Sequence, residues 1–240
     1  MKITVLTLFP EMYEGFLNAS IIKRILAKGL AEIKIVNIRD YSMDKHHHVD
    51  DTPYGGGAGM LMKVDVVHRA LLDNISNDYT YTVLTSPKAK LLKQEDLVRL
   101  SKLDEFVIIC GHYEGIDYRI EKYIDEKVSI GDYILTGGEL PSMVMIDGIL
   151  RLLEEGISSD SLKEESFNDG LLEYPQYTRP VEYNGDRVPD VLQNGNHKEI
   201  ARYNLKMALK ETMLNRPDLL EKRELSDEER KLIGEIINEL

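Results

Sequence analysis

Five consecutive residues, Phe106-Val107-Ile108-Ile109-Cys110, carry no strongly polar side chain. A strand with one wet face alternates apolar and polar residues, whereas an unbroken apolar run of this length reads as a strand buried on both faces. Residues 3–9 have a similar character, and 31–38, 79–84 and 128–134 read as further extended segments. Helical patterns alternate with them over 20–28, 64–75, 94–103, 115–124 and 141–155. Asn18 is a candidate cap for the first of these helices and Gly29 its stop. Strands interleaved with helices predict an α/β fold, a parallel sheet with helices on both faces.

Near residue 156 the character changes to a polar stretch, then to turns rich in Tyr, Pro and Gly, then to helical patterns over 196–215, 218–221 and 226–238. Ser226 and Glu229 have the spacing of a capping box. The expected organisation is an α/β domain over 1–157, a flexible linker over 158–170 and a small, mainly helical domain over 171–240.

The 240 residues, 42% apolar and 30% charged, suit a folded globular chain. Cys110 is the only cysteine, which excludes an intrachain disulfide and a cysteine-based zinc site and fits a reducing compartment. No stretch approaches the ~18 apolar residues of a membrane span. The N-terminal apolar run is too short for a signal peptide, so a soluble, cytoplasmic protein is expected. The net charge of −12 argues against indiscriminate nucleic-acid binding, although a local basic patch is compatible with it. His46-His47-His48 lacks the spacing of a metal site, and no resident metal is expected.

Three segments are dense in glycine: 54–60, 110–115 and 130–141. Any one reads as a tight turn. Two of them follow apolar strands, where α/β folds place ligands, and three after consecutive elements read as a shared pocket. None matches a phosphate loop or a dinucleotide fingerprint.

The motifs Val49-Asp50-Asp51, Pro53-Tyr54-Gly55-Gly56-Gly57, Leu84-Thr85-Ser86-Pro87 and Cys110-Gly111-His112-Tyr113-Glu114-Gly115 occur in that order. They are followed by the run 130–141, Ser166-Phe167, Asp169-Gly170-Leu171-Leu172, Tyr177-Thr178-Arg179-Pro180 and Gly195-Asn196-His197. The set resembles the bacterial tRNA (guanine-N1)-methyltransferases of the TrmD family over residues 1–220. The resemblance implies the SPOUT class, with a deep trefoil knot in the first domain, S-adenosylmethionine bound at the knot, and methylation of N1 of the guanine 3′ of the tRNA anticodon (position 37). It also implies a homodimer whose active sites are shared between chains.

By resemblance, Gly111, Ile130, Gly131, Asp132, Tyr133, Ile134 and Leu135 contact the cofactor, with Ser86, Pro87, Glu114, Gly138 and Pro141 lining the same pocket. Adenine needs an apolar slot with a few main-chain donors and acceptors, and Ile130, Ile134 and Leu135 can supply the slot. Without the resemblance, Ile134 and Leu135 read as sheet core and Asp132 as a turn residue.

Methylation at N1 requires loss of a ring proton to a base and stabilisation of charge on O6. The family places an aspartate before Ser-Phe; here it is Glu165, one methylene longer, with Asp169 the fallback base and Glu173 a third candidate. Arg151 is the implied cation, although by position alone it complements a helix C-terminus. The family's reaction is magnesium-dependent, yet no magnesium cage is visible.

Lys198, Arg202, Lys206 and Lys210 recur every four residues and form one stripe on a helix. By itself the stripe is either a solvated face or a phosphate-binding one; the resemblance favours contact with the tRNA backbone. His112 and Thr52 stand where many relatives carry arginine, which removes a phosphate or base contact. The rival readings are a related knotted methyltransferase acting elsewhere on RNA and a non-catalytic RNA-binding module.

Overall fold

The computed structural model describes residues 1–77, 79–153, 166–167 and 170–239. The chain forms two compact units, Met1–Ile157 and Ser158–Leu240. Most of the stretch expected as a linker, 158–170, lies outside the described residues, as do Glu165 and Asp169.

The first unit is built on five parallel strands: β1 (Lys2–Thr7), β2 (Glu32–Asn37), β3 (Tyr81–Leu91), β4 (Glu105–Cys110) and β5 (Glu126–Ser129). Their order across the sheet is β2-β1-β4-β3-β5, and every neighbouring pair is parallel. The apolar run 106–110 becomes the central strand, β4, paired with β1 on one side and β3 on the other.

Successive side chains of a strand point to opposite faces, and each face of this sheet has its own core. Ile3, Val5, Val83, Phe106 and Ile108 point to one side. There they meet helices α1 (Ser20–Ala27), α3 (Gln94–Leu100) and α4 (Glu139–Leu150) through Ile25, Leu100, Met145 and Ile149. Leu6, Leu84, Val107 and Ile109 point to the other side, against Val66, Val67, Ala70 and Leu71 of α2 (Val64–Leu72). The spacing of those four residues gives α2 one apolar face. Asn18 does not cap α1: Ala19 is the cap residue, and the Asn18 amide instead donates to the Glu14 carbonyl at 2.8 Å.

Two segments depart from the sequence reading. Residues 115–124 form no α-helix but a 3₁₀ turn, Tyr118–Tyr123, begun by the Asp117 carboxylate accepting from the Arg119 N–H at 2.9 Å. The extended segment expected over 128–134 stops at Ser129, whose hydroxyl donates to the Gly131 carbonyl and accepts its N–H.

The second unit contains a short hairpin of β6 (Glu182–Tyr183) and β7 (Asp186–Arg187), then α5 (His197–Asn215) and α6 (Asp227–Glu239). Its core is Leu171, Ala208, Leu209, Leu232 and Ile236. The capping box forms: the Ser226 N–H donates to Glu229 Oε2 at 2.7 Å, and the Glu229 N–H donates to Ser226 Oγ at 3.2 Å.

Because Ile108 is fully buried at the centre of the sheet, Ile108→Ala should destabilise the first unit by about 2–5 kcal/mol, read as a lowered midpoint in urea unfolding.

Candidate active site

The C-terminal ends of β3, β4 and β5 open into a cleft of about 620 Å³. The ends of parallel strands collect loops from several elements at one edge, which is why α/β folds bind ligands there. Ser86 and Pro87 come from the excursion of β3 between Thr85 and Lys90, where its pairing with β5 is interrupted. Gly111 and Glu114 follow β4, and Ile130, Gly131, Tyr133, Ile134 and Leu135 follow β5; Gly138 and Pro141 lead into and begin α4. Of the residues that the resemblance assigns to the cofactor, Asp132 alone is outside this lining, and it is exposed.

The floor is made by close backbone approach. The Gly138 N–H donates to the Gly111 carbonyl at 2.8 Å, and His112 and Gly137 form an antiparallel bridge. A Cβ on Gly138 would meet Cys110 Cα at 2.8 Å and the Gly111 nitrogen at 2.9 Å, as well as the Thr85 hydroxyl. The 54–60 loop lies against the 111–115 loop: Glu114 N–H donates to the Met60 carbonyl at 3.1 Å, and Met62 N–H to the Gly115 carbonyl at 2.9 Å. Gly59 at φ +84° leaves no room for a Cβ beside the Glu114 side chain.

The walls are apolar. Tyr133 folds back so that its hydroxyl donates to the Ile130 carbonyl at 3.3 Å, and Ile134 is 79% exposed at the rim. Sequence reasoning missed Lys88, Tyr118 and Glu121, which also line the cleft. Lys88 directly follows Ser86-Pro87, a signal that was available; Tyr118 and Glu121 sit on the turn that was read as helix.

Beneath the floor lies a buried polar group. The Tyr13 hydroxyl is 2.5 Å from Ser142 Oγ and 3.4 Å from Cys110 Sγ. Burial pushes the Cys110 thiol up to about 12, so it is neutral and inert as a nucleophile. Burial likewise raises the Tyr13 hydroxyl far above its ordinary range.

The remaining assigned residues belong to other elements. Arg151 is the half-buried C-cap residue of α4 and does not line the cleft. On α5, Arg202 pairs with Glu235 of α6 at 2.5 Å, and Lys206 with Glu235 at 3.3 Å and Glu239 at 2.6 Å. Hydrogen bonding to Glu239 first, then contact with Glu235, holds the Lys206 ammonium above the usual lysine range. Lys206 is only 14% exposed, whereas Lys198 is exposed and Lys210 half-buried. Two members of the expected basic stripe are thus engaged by acids of the neighbouring helix. Glu173 is half-buried, and its N–H donates to Ser166 Oγ at 2.9 Å.

Residues 1–222 match the family model described as tRNA (Guanine-1)-methyltransferase TrmD. A Lactobacillus johnsonii protein is 51% identical over 241 residues, covering 100% of this chain and 99% of its own length. A Lactobacillus helveticus protein is 50% identical over 242 residues, covering 100% of both chains. A Dictyoglomus turgidum protein is 47% identical over 241 residues, covering 100% of this chain and 98% of its own length. Each of the three is named tRNA (guanine-N(1)-)-methyltransferase.

The two floor glycines differ in the space around them. A Cβ on Gly111 would make only ordinary contacts, 3.7 Å to Ile116 and 3.8 Å to the Thr85 carbonyl. Gly111→Ala should therefore melt within a few degrees of the parent. Gly138→Ala, overpacked against backbone, should lose about 1–3 kcal/mol, measured by calorimetric melting of the two variants side by side.

Proposed function

Since this chain belongs to the tRNA (guanine-1)-methyltransferase family, we propose that its cleft binds S-adenosylmethionine and that it methylates N1 of the guanine 3′ of the tRNA anticodon. The observation that carries this reading is the convergence of the three loops after β3, β4 and β5 on one apolar cleft with a main-chain floor. Such a cleft suits adenosine: flat apolar walls from Ile130, Ile134 and Leu135, and backbone groups near Gly111 and Gly138 for the ring edge. Bound there, the cofactor supplies an electrophilic methyl on a sulfonium. The Glu114 carboxylate on the cleft wall suits the positive charge of that group.

The chain must supply a base, a cation and alignment. In this proposal Glu165 takes the N1 proton, with Asp169 as the fallback base; both lie outside the described residues. The Arg151 guanidinium stabilises charge building on O6. Lys198, Arg202, Lys206 and Lys210 contact tRNA phosphates, which must then compete with Glu235 and Glu239 for two of the cations. Among the described residues, no group of three His, Cys, Asp or Glu side chains is placed to hold a metal. They offer magnesium no dedicated cage, and no step is assigned to it.

The finer architecture belongs to the same proposal. The return of residues 130–138 to the ends of β3 and β4 suits a trefoil knot of the SPOUT class. Leu140 and Val144, four residues apart on α4 and each 49% exposed, make an apolar face suited to a second copy of the chain. No helix among the described residues is long and apolar enough to cross a membrane, and a tRNA substrate fits a cytoplasmic setting.

Methyl transfer from labelled cofactor to tRNA transcripts tests the reading. Transcripts with guanine 3′ of the anticodon should be methylated and those lacking it should not; equal labelling would favour another RNA position, and no labelling a binding module. In single-turnover assays Glu165→Gln should slow transfer by ~10²-fold or more, with cofactor binding nearly unchanged. Near-normal transfer by Glu165→Gln with loss in Asp169→Asn would move the base to Asp169. Arg151→Ala should slow transfer without weakening cofactor binding. Sedimentation should give a dimer, and Val144→Glu should shift it to monomer with loss of activity.

A further inference from the structure

Two carboxylates line the cleft. Glu121 accepts from the Lys127 ammonium at 2.7 Å. Glu114 is exposed, and among the described residues its carboxylate has no hydrogen-bond or ion-pair partner. Its side chain packs instead against Gly59. A Cβ at Gly59 would collide with Glu114 Cγ and stand 2.7 Å from Oε1 and 3.0 Å from Cδ, well inside the ~3.5–4.0 Å of an ordinary carbon contact.

The main chain on both sides of this contact is tied down. Just after Gly59, the Met60 carbonyl accepts the Glu114 N–H at 3.1 Å, the Met62 N–H donates to the Gly115 carbonyl at 2.9 Å, and the Met62 carbonyl accepts the Asp117 N–H at 3.0 Å. The turn that carries Glu114 is closed by the Gly115 N–H on the His112 carbonyl at 3.1 Å. Behind it the His112 ring packs on Phe9, centroids 4.8 Å apart, with Nδ1 buried, and the His112 N–H donates to Met62 Sδ at 3.2 Å. Neither loop can withdraw without breaking these bonds, whereas the Glu114 side chain can leave by changing rotamer. A methyl group at position 59 would therefore move the carboxylate and leave the fold in place. We propose that Gly59 is a positioning residue for the cofactor: the absence of a side chain there lets the 54–60 loop seat the Glu114 carboxylate on the cleft wall. The inference rests on the cofactor reading of the cleft. It gives the loop a part in cofactor binding although none of residues 54–60 lines the cleft. Because the effect is exerted through a charge, it acts on the charged cofactor and not on a neutral nucleoside that fills the same slot.

Calorimetric titration of the full chain with two ligands tests this. S-adenosylmethionine carries positive charge on its sulfur and its amino group, whereas 5′-methylthioadenosine has the same adenosine and no charge. Gly59→Ala should weaken S-adenosylmethionine binding by about 5-fold, as for the loss of one exposed charge pair, and leave 5′-methylthioadenosine binding unchanged. Gly55 is the control: its φ of +85° matches the +84° of Gly59, but nothing lies within 4 Å of a Cβ there, so Gly55→Ala should bind both ligands as the parent does. Glu114→Ala removes every atom that the Cβ would meet, so adding Gly59→Ala to it should cost no further affinity. Parent affinity for S-adenosylmethionine in Gly59→Ala, equal losses for the two ligands, a loss of the same size in Gly55→Ala, or a further loss in the double variant would each overturn the proposal. A measurement on the unaltered protein needs no variant to fold: the Gly59 α-protons should show a strong nuclear Overhauser effect to the Glu114 γ-protons, and its absence would overturn the proposal. If the unaltered protein binds neither ligand, the cofactor reading fails, and the proton contact still decides whether Gly59 seats Glu114.

Discussion

Where two stretches of main chain hydrogen-bond side by side at the end of a buried strand, a side chain between them has nowhere to go. The Gly138 N–H and the Gly111 carbonyl meet in this way beyond β4, with Cys110 and Thr85 closing the remaining space. That contact joins the loop after β5 to the loop after β4 and sets the starting point of α4. It fixes the floor of the cleft, the direction in which Glu139 enters the interior, and the packing of Met145 and Ile149 on the sheet. An α-helix that begins against the end of a strand has little freedom to shift, because its N-cap residue is already tied there: the Gly138 N–H donates to the Gly111 carbonyl at 2.8 Å.

The sheet was readable in the sequence because burial on both faces leaves no polar residue to confuse the pattern, as in 106–110. The ends of elements were less so. Asp117 begins a 3₁₀ turn through its own side chain, and Ser129 ends β5 by bonding to Gly131. Both are local competitions between side chain and backbone that periodicity does not register. The cleft was legible through its glycines, since close main-chain approach demands them, and through the family motifs that contain them. The inward direction of the His112 imidazole was not legible, because it depends on Phe9, more than a hundred positions earlier in the chain.

Electrostatics of the helical unit show the same limit. The four-residue spacing of Lys198, Arg202, Lys206 and Lys210 correctly places them on one helix, but nothing local reveals that Glu235 and Glu239 come to meet two of them. A cation held by a carboxylate is available to phosphate only through exchange. The exposed Arg202–Glu235 pair is worth little by itself, so exchange there costs little, and it makes any phosphate contact at Arg202 sensitive to salt.

The buried, protonated thiol of Cys110 has a practical corollary. Electrophilic labels react with thiolates at exposed positions, and the chain's only sulfhydryl is neither exposed nor ionised. The unaltered protein is thus silent towards maleimide reagents. A cysteine introduced on an exposed helix position such as Lys198 would be a unique attachment point for a fluorophore or spin probe, with no need to remove the native residue from beneath the floor of the cleft.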